Sequence, residues 1–180
     1  MYYNTVFESP IGNIMLACDE QENLVELWLE GQKYFCATIN SEIEENNKLK
    51  IFQQTKNWLD RYFKGEKPDI SELSLAPSGN SFRQRVWQIL CKIPYGEVWT
   101  YGDIAKIIAK ENGKAKMSAQ AIGGAVGHNP ISIIIPCHRV VGANGNLTGY
   151  AGGIKTKMTL LKLEGVNMEQ LFIPKNSITI

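Results

Sequence analysis

The spacing of the apolar residues changes near residue 77, and this change constrains the fold more than any other feature of the chain. Residues 11–18 (IGNIMLAC) and 24–31 (LVELWLEG) are apolar segments on either side of the polar turn DEQEN, a pattern that predicts a β-hairpin. Residues 51–63 carry apolar side chains at helical spacing and end at KGEKP, which predicts a helix. The stretch LSLAPSGNS, with Pro77 and Gly79, is interpreted as a linker. After it, the pattern is helical.

These patterns predict two parts of different class. Residues 1–76 are expected to form an α/β domain with a small antiparallel sheet and one helix, and residues 77–170 a mostly helical domain. Residues 171–180 form a C-terminal tail whose pattern predicts no element. A chain of 180 residues can bury a real core in one sizeable domain or two small ones.

Composition excludes few function classes. The 19 basic and 18 acidic residues give a net charge of +1, so the chain lacks the overall basic charge typical of nucleic-acid binders, although a local basic patch remains possible. The start MYYNTVFESPIG does not resemble a signal peptide, and no apolar run is long enough to cross a bilayer. We therefore expect a cytoplasmic protein with reduced thiols and no membrane partner.

Three helices are predicted after the linker, with Ser81, Thr100 and Ser118 as their N-caps. The second and third, joined by the polar turn ENGKAK, have the layout of a helix-turn-helix, although a helical hairpin in the core is the commoner meaning of such spacing. A last amphipathic helix carries Glu164 near its end and Gly165 as its C-cap. Small side chains on the third helix favour close approach to a partner: Ala119, Ala121, Gly123, Gly124 and Ala125.

Cys137 and His138 stand side by side after the apolar run at residues 131–136, in a chain with four cysteines and two histidines. The cysteines are scattered without metal-ligand spacing, so no metal site is predicted. The apolar run is expected to be buried and extended, and adjacent side chains of an extended chain point to opposite faces. His138 can then assist Cys137 only if the chain turns or a water intervenes. From spacing alone, a buried structural cysteine beside a hydrogen-bonded histidine is favoured over a nucleophile.

A family resemblance reverses that preference. The motif PCHRVV, preceded by GHNPISIII and followed by GYAGG and a helix ending in Glu164, resembles the O6-alkylguanine-DNA alkyltransferases, also called methylated-DNA–protein-cysteine methyltransferases. SFRQRVWQILCKIPYGEVWTYGDIA is similar to the family's stretch leading into its helix-turn-helix, and SPIGNIMLA and WLDRYFKGEKP resemble its amino-terminal domain. The resemblance covers residues 6–165. It implies an RNase H-like first domain and a winged-helix-like second domain.

The resemblance also implies a function. The chain is expected to repair DNA by moving the alkyl group of O6-alkylguanine, and of O4-alkylthymine, irreversibly and once per molecule to its own Cys137. No cofactor is implied. The partner implied is alkylated double-stranded DNA, entered through the minor groove by a monomer that flips the damaged base.

Site residues follow from the resemblance position by position. Cys137 is the alkyl acceptor, and His138 takes the thiol proton through a water, oriented by Glu164. Tyr101 assists departure of guanine, and Asn129 braces the turn of the site. The base is expected to meet the Val140 carbonyl, Tyr150 and the backbone of Ala151. The DNA-binding positions implied are Thr100, Tyr101, Ser118, Ala119, Gln120 and Gly123.

Two features set this chain apart from members of the family. Where the family has an arginine that fills the space of the flipped base, this chain has Gln120, which offers hydrogen bonds but no charge or planar stacking. Some relatives bind zinc in the amino-terminal domain, but here no histidine precedes His128, so no zinc is expected.

The sequence also offers three other interpretations of the cysteine and of the glycine-rich loop. A cysteine hydrolase usually draws its histidine from a distant part of the chain, and the only other histidine is His128. A helix-turn-helix protein that binds lesions without reacting would not need Cys137. A P-loop in GYAGGIKT is excluded because Ile154, and not glycine, precedes the lysine.

Overall fold

The computed structural model describes residues 1–34, 39 and 41–174, so Cys36 and residues 175–180 of the predicted tail lie outside the described residues. The described strands are β1 (Tyr2–Ser9), β2 (Gly12–Asp19), β3 (Leu24–Leu29), β4 (Ile43–Glu45), β5 (Trp99–Thr100) and β6 (Val140–Val141). The described α-helices are α1 (Lys50–Phe63), α2 (Ser81–Leu90), α3 (Tyr101–Glu111), α4 (Ala119–Gly127) and α5 (Ile154–Leu163).

The first sheet has the order β3-β2-β1-β4, and it is mixed. The predicted hairpin β2–β3 is present and antiparallel, as is β1–β2, but β4 pairs with β1 in parallel. The sheet is antiparallel from β1 to β3, as predicted, and the short parallel pair β1–β4 is a departure from that prediction. β4 comes from the acidic stretch NSEIEENN, which has too little apolar alternation to indicate a strand, and only its position beside β1 makes it one.

The free edge of β3 is covered by the second half of the chain. The Leu27 amide donates to the Pro130 carbonyl at 2.8 Å, and the Ser132 amide donates to the Leu27 carbonyl at 3.2 Å. Leu24 pairs in the same way with the segment around Leu75. The edge strand of the sheet thus finds hydrogen-bond partners inside the molecule, which removes a template for aggregation.

The larger core cluster contains residues from both halves of the chain. Leu16, Leu27 and Trp58 of the first half belong to the same buried cluster as Trp87 and Ile104 of the second. The two sequence patterns therefore describe two kinds of secondary structure that share one hydrophobic core, and burial of that shared surface holds the sheet against the helices.

The helices of the second half begin close to the predicted residues. Thr100 caps α3 in a capping box with Asp103, and Ser118 caps α4, as predicted. The cap of α2 is Asn80, whose side chain accepts from the Arg83 amide, and not Ser81. Asparagine and serine are equally good N-caps, so sequence could not choose between these neighbours.

The short parallel pair β5–β6 joins the start of α3 to the residues just after Cys137. Trp99 pairs with Val140, and Thr100 pairs with Val141. Because α3 begins at the next residue, Tyr101, this ladder sets the beginning of the helix-turn-helix beside the cysteine. In the described part of the chain, no helix is long and apolar enough to cross a membrane.

Candidate active site

The chain turns at the cysteine instead of running straight. The apolar run before it is buried, but Ile133 has φ of 71° and Cys137–Arg139 form one turn of 3-10 helix. The prediction that residues 131–136 are extended was therefore wrong. A β-branched residue rarely adopts a positive φ, so the surroundings must impose this turn.

Asn129 supplies hydrogen bonds that impose it. Its side-chain Nδ2 donates to the Ile135 carbonyl at 2.8 Å and lies 3.4 Å from the Ile131 carbonyl, while its Oδ1 accepts from the Ile131 amide at 3.1 Å. The same Nδ2 lies 3.1 Å from Sγ of Cys137. One buried amide therefore holds both ends of the turn and contacts the sulfur.

The Cys137 thiol is only 4% exposed. Burial raises its pKa, whereas the Asn129 amide and the charge of Lys157 act to lower it. The thiol form is thus the resting form, and a base must remove the proton before the sulfur can attack.

His138 is fully buried and its two ring nitrogens differ. Nε2 lies 2.6 Å from Oε1 of Glu164, whereas Nδ1 has no hydrogen-bond partner among the described residues. Burial lowers the pKa of His138, although Glu164 opposes this effect. A neutral imidazole that donates from Nε2 to a carboxylate keeps its basic lone pair on Nδ1. The arrangement therefore provides a neutral base next to the cysteine in the chain.

Glu164 caps the end of α5 and is surrounded by donors. Nε and Nη2 of Arg139 donate to its two oxygens at 2.8 and 3.0 Å, and the Gly96 amide donates at 3.2 Å. Burial is the largest single influence and favours the neutral acid, but His138 and Arg139 together outweigh it and lower the pKa of Glu164 to about 2. Glu164 is therefore ionised at every working pH and fixes the tautomer of His138.

Tyr101, the first residue of α3, lies against the loop that follows β6. Its hydroxyl donates to the Thr148 carbonyl at 3.2 Å, and burial, with a smaller effect of Cys137, raises its pKa to about 12. Gly149 has φ of 77°, and a Cβ there would lie 2.7 Å from the Tyr101 hydroxyl. The close contact between Tyr101 and this loop therefore requires glycine at position 149.

Tyr150 and Ala151 belong to the same loop. Tyr150 is buried, its hydroxyl has no hydrogen-bond partner among the described residues, and burial raises its pKa. The Ala151 carbonyl accepts from the Lys33 amide at 3.2 Å, so the first half of the chain holds this loop too.

Lys157 is a buried cation that the sequence interpretation missed. It lies on α5, and its Nζ donates to the carbonyls of Val140 and Thr148. Burial lowers its pKa to about 8. Lys157 precedes Leu160 by three residues and Leu161 by four, so it lies on the apolar face of α5. This spacing is the sequence signal that could have identified Lys157 as buried. The Val140 carbonyl, expected to accept from guanine, already accepts from Lys157 and keeps its second lone pair.

The predicted DNA-binding positions lie at the beginnings of α3 and α4. The Ser118 hydroxyl accepts from the Ala121 amide, and Ala119 and Gln120 are exposed. A Cβ added at Gly123 would come no closer than 3.9 Å to the Tyr101 ring, and one at Gly124 would meet nothing within 4 Å. The outer face of α4 is therefore narrow and open. Within the described ranges, no three His, Cys, Asp or Glu side chains are grouped to hold a metal ion.

The fold and site together define a helix-turn-helix domain that carries a buried cysteine beside a histidine–glutamate pair. A family model described as 6-O-methylguanine DNA methyltransferase, DNA binding domain, matches residues 81–166. A second, described as 6-O-methylguanine DNA methyltransferase, ribonuclease-like domain, matches residues 1–77.

Similar proteins agree with these matches. The chain is 47% identical to the methylated-DNA–protein-cysteine methyltransferase of Methanosarcina acetivorans, over 92% of this chain and 99% of that protein. It is 41% identical to the Haemophilus influenzae protein of the same name, over 91% and 87%. A crystal structure of Mycobacterium tuberculosis OGT in complex with DNA is similar with a TM-score of 0.75 and 40% identity, covering 91% of each chain. The chain belongs to the O6-alkylguanine-DNA alkyltransferase family.

Proposed function

We propose that this chain, as a methylated-DNA–protein-cysteine methyltransferase, repairs DNA by accepting the alkyl group of O6-alkylguanine on Sγ of Cys137, and that it accepts O4-alkylthymine as well. The observation that carries the assignment is the buried turn in which Asn129 contacts Sγ of Cys137 and Glu164 fixes the tautomer of His138. The site supplies a thiol, a neutral base and a fixed anion, as nucleophilic substitution requires.

The reaction balances without a cofactor. The sulfur attacks the alkyl carbon in line, an S–C bond forms, and the bond from that carbon to O6 breaks. His138 takes the thiol proton through a water, with Nδ1 as the receiving atom. Tyr101 protonates or hydrogen-bonds the ring nitrogen of the departing guanine, and where it gives up its proton, the proton taken by His138 restores it through solvent. The net change is transfer of the thiol proton to guanine. Because water does not hydrolyse the thioether, each molecule reacts once.

The damaged base must leave the duplex to reach the sulfur, at a cost of a few kcal/mol. We propose that α4 enters the minor groove with its narrow exposed face, and that Thr100, Tyr101 and Ser118 contact phosphates at the helix beginnings. We propose that the loop carrying Tyr150 and Ala151 closes over the flipped base beside Cys137, which is 4% exposed.

We assign residues 77–170 to DNA binding and chemistry, residues 1–76 to their support, and residues 171–180 to a tail. One chain supplies both the proposed DNA-binding face of α4 and the turn that carries Cys137. This supports action as a monomer. The reaction consumes a free thiol, which is stable in the reducing cytoplasm.

Incubation with duplex DNA containing O6-methylguanine is expected to add one methyl group to each protein molecule. Intact-mass spectrometry measures the addition, and peptide mapping is expected to assign it to Cys137. Transfer to Cys18, Cys36 or Cys91, or many turnovers per molecule, would contradict the assignment.

Replacing Gln120 is expected to change repair of duplex DNA without changing the chemistry. Arginine at this position adds charge and planar stacking in the space left by the flipped base, so Gln120→Arg should react faster with a duplex, and Gln120→Ala should react slower. A change of about 1 kcal/mol in the free energy of the state with the base flipped out changes the rate of alkyl transfer about fivefold. Single-turnover rates on duplex DNA measure the effect.

The free base O6-benzylguanine is the control, because it needs no flipping and meets the same Cys137. All three proteins should react with it at similar rates. If their rates on duplex DNA are also equal, Gln120 does not enter the space left by the base.

A further inference from the structure

Tyr62 brings the ribonuclease-like half of the chain into direct contact with the reaction site. It lies in α1, near its end, and is 1% exposed. Its hydroxyl donates to Oε1 of Glu164 at 2.7 Å, across 102 positions of sequence, and lies 3.4 Å from Nε2 of His138. The hydroxyl and the imidazole N–H therefore converge on the same carboxylate oxygen.

The ring and the hydroxyl of Tyr62 have separable roles. The ring packs among aromatic side chains, stacked on Trp58 at 5.5 Å and edge-on to Phe63 and Tyr95. Phenylalanine would make the same ring contacts. The hydroxyl contacts only Glu164 and His138 among the described residues, so its effect falls on that pair.

The Tyr62 hydroxyl, as a donor to Oε1, weakens the hydrogen bond between the Glu164 carboxylate and the His138 imidazole. Oε1 receives hydrogen bonds from Tyr62, His138 and Nη2 of Arg139, so its negative charge is shared among three donors and each hydrogen bond is weaker than it would be alone. Arg139 bonds both oxygens and orients the carboxylate, and the Tyr62 hydroxyl adds a third donor on the oxygen that faces His138. Without the Tyr62 hydroxyl, Glu164 would stabilise the imidazolium form of His138 more strongly. Burial and the Glu164 charge raise the pKa of Tyr62 well above its ordinary value, so the hydroxyl stays protonated and remains a donor.

We propose that Tyr62 is a positioning residue of the alkyl-transfer site: its hydroxyl holds the Glu164 oxygen that fixes the His138 tautomer and thereby keeps His138 neutral. The inference rests on the proposed function. It makes the first half of the chain a contributor to proton transfer as well as a support.

Other charges also act on His138. Arg139, adjacent in the chain, and Lys157 on α5 lower its pKa, whereas Glu164 raises it. The charged and titratable groups around the His138–Glu164 pair are Tyr62 from α1, Tyr95 before β5, Cys137 and Arg139 from the turn, Tyr150 from the loop and Lys157 from α5. A substitution at Tyr62 leaves the rest of this set unchanged.

The test is the pH dependence of single-turnover transfer by Tyr62→Phe. Transfer requires neutral His138, so a higher His138 pKa moves the acid limb of the rate profile to higher pH. We expect a shift of about half a pH unit, or about threefold in rate at a fixed pH on that limb. Tyr95→Phe is the matched control, because the Tyr95 hydroxyl donates to the Leu163 carbonyl and does not bond the pair.

A shift in Tyr62→Phe alone supports the proposal. No shift, or an equal shift in both variants, overturns it, since an equal shift would reflect only a looser aromatic cluster. If Tyr62→Phe fails to fold, 3-fluorotyrosine at position 62 keeps the ring and strengthens the donor. The acid limb should then move to lower pH, and an unmoved limb overturns the proposal.

A measurement without substrate separates this proposal from the proposed function. The chain has two histidines, so a 15N-histidine spectrum resolves His138 once His128→Gln has assigned the other. Tyr62→Phe should raise the pH at which His138 titrates, and Tyr95→Phe should not. If the wild type transfers no alkyl group, the proposed function fails; if it does and His138 titrates identically in all three proteins, only the role of Tyr62 fails.

Discussion

Cys137→Ser is expected to abolish alkyl transfer and leave the affinity for DNA unchanged. A serine hydroxyl is far less acidic than a thiol and a much weaker nucleophile towards an alkyl carbon, so it should not displace guanine. In a serine protease, removal of the nucleophile lowers the rate by about 10⁶-fold, which sets the scale of the expected loss. The transferred radiolabel from O6-methylguanine duplex should therefore fall below detection.

DNA affinity should persist because Cys137 is 4% exposed, so its replacement leaves the exposed side chains of α4 unchanged. Fluorescence anisotropy with unmodified duplex, on which the wild type does not react, compares the two proteins directly. Cys91→Ser is the control, since Cys91 ends α2 and should keep full transfer. Residual transfer by Cys137→Ser, or loss of transfer by Cys91→Ser, would show that another thiol accepts the alkyl group.

Glu164→Gln is expected to lower the free energy of unfolding by about 3–5 kcal/mol, the usual cost of leaving a buried charge without its partner. Nε and Nη2 of Arg139 bond the Glu164 carboxylate in the protein interior, and Gln keeps the volume but removes the charge. A pKa lowered from 4.5 to about 2 corresponds to about 3 kcal/mol, in agreement with this range. Urea unfolding at pH 7 measures the loss.

The pH dependence provides a second measurement of the same effect. A carboxyl whose pKa is lower in the folded than in the unfolded state stabilises the fold above about pH 5, and that contribution is lost as the pH falls towards 2. Stability of the wild type should therefore decline more steeply through this window than that of Glu164→Gln. Equal slopes would mean that Glu164 has an ordinary pKa.

Glu72→Gln is the matched control. Glu72 also receives two hydrogen bonds from an arginine, Arg61, but at the surface, where solvent screens the pair. Its replacement should change the unfolding midpoint little. A loss as large as that of Glu164→Gln would indicate that geometry, and not burial, sets the energy of these pairs.

The sequence alone was sufficient wherever a short stretch determines its own conformation. The β2–β3 hairpin, α1 and the caps Thr100 and Ser118 follow from apolar spacing and from side chains that bond amides two or three residues away. The family was predicted correctly, because PCHRVV and its neighbours are consecutive residues whose order is itself the signal.

Sequence could not predict features that depend on residues distant in the chain. β4 is a strand only because β1 lies beside it, and residues 131–136 bend because the Asn129 side chain bonds carbonyls at both ends of the turn, against the extended preference of isoleucine. Tyr62 meets Glu164 across 102 positions, and Lys157 meets the Val140 carbonyl across 17. Such contacts form when the elements pack, so the tertiary structure alone decided which buried polar groups became partners and how the proton of His138 is placed.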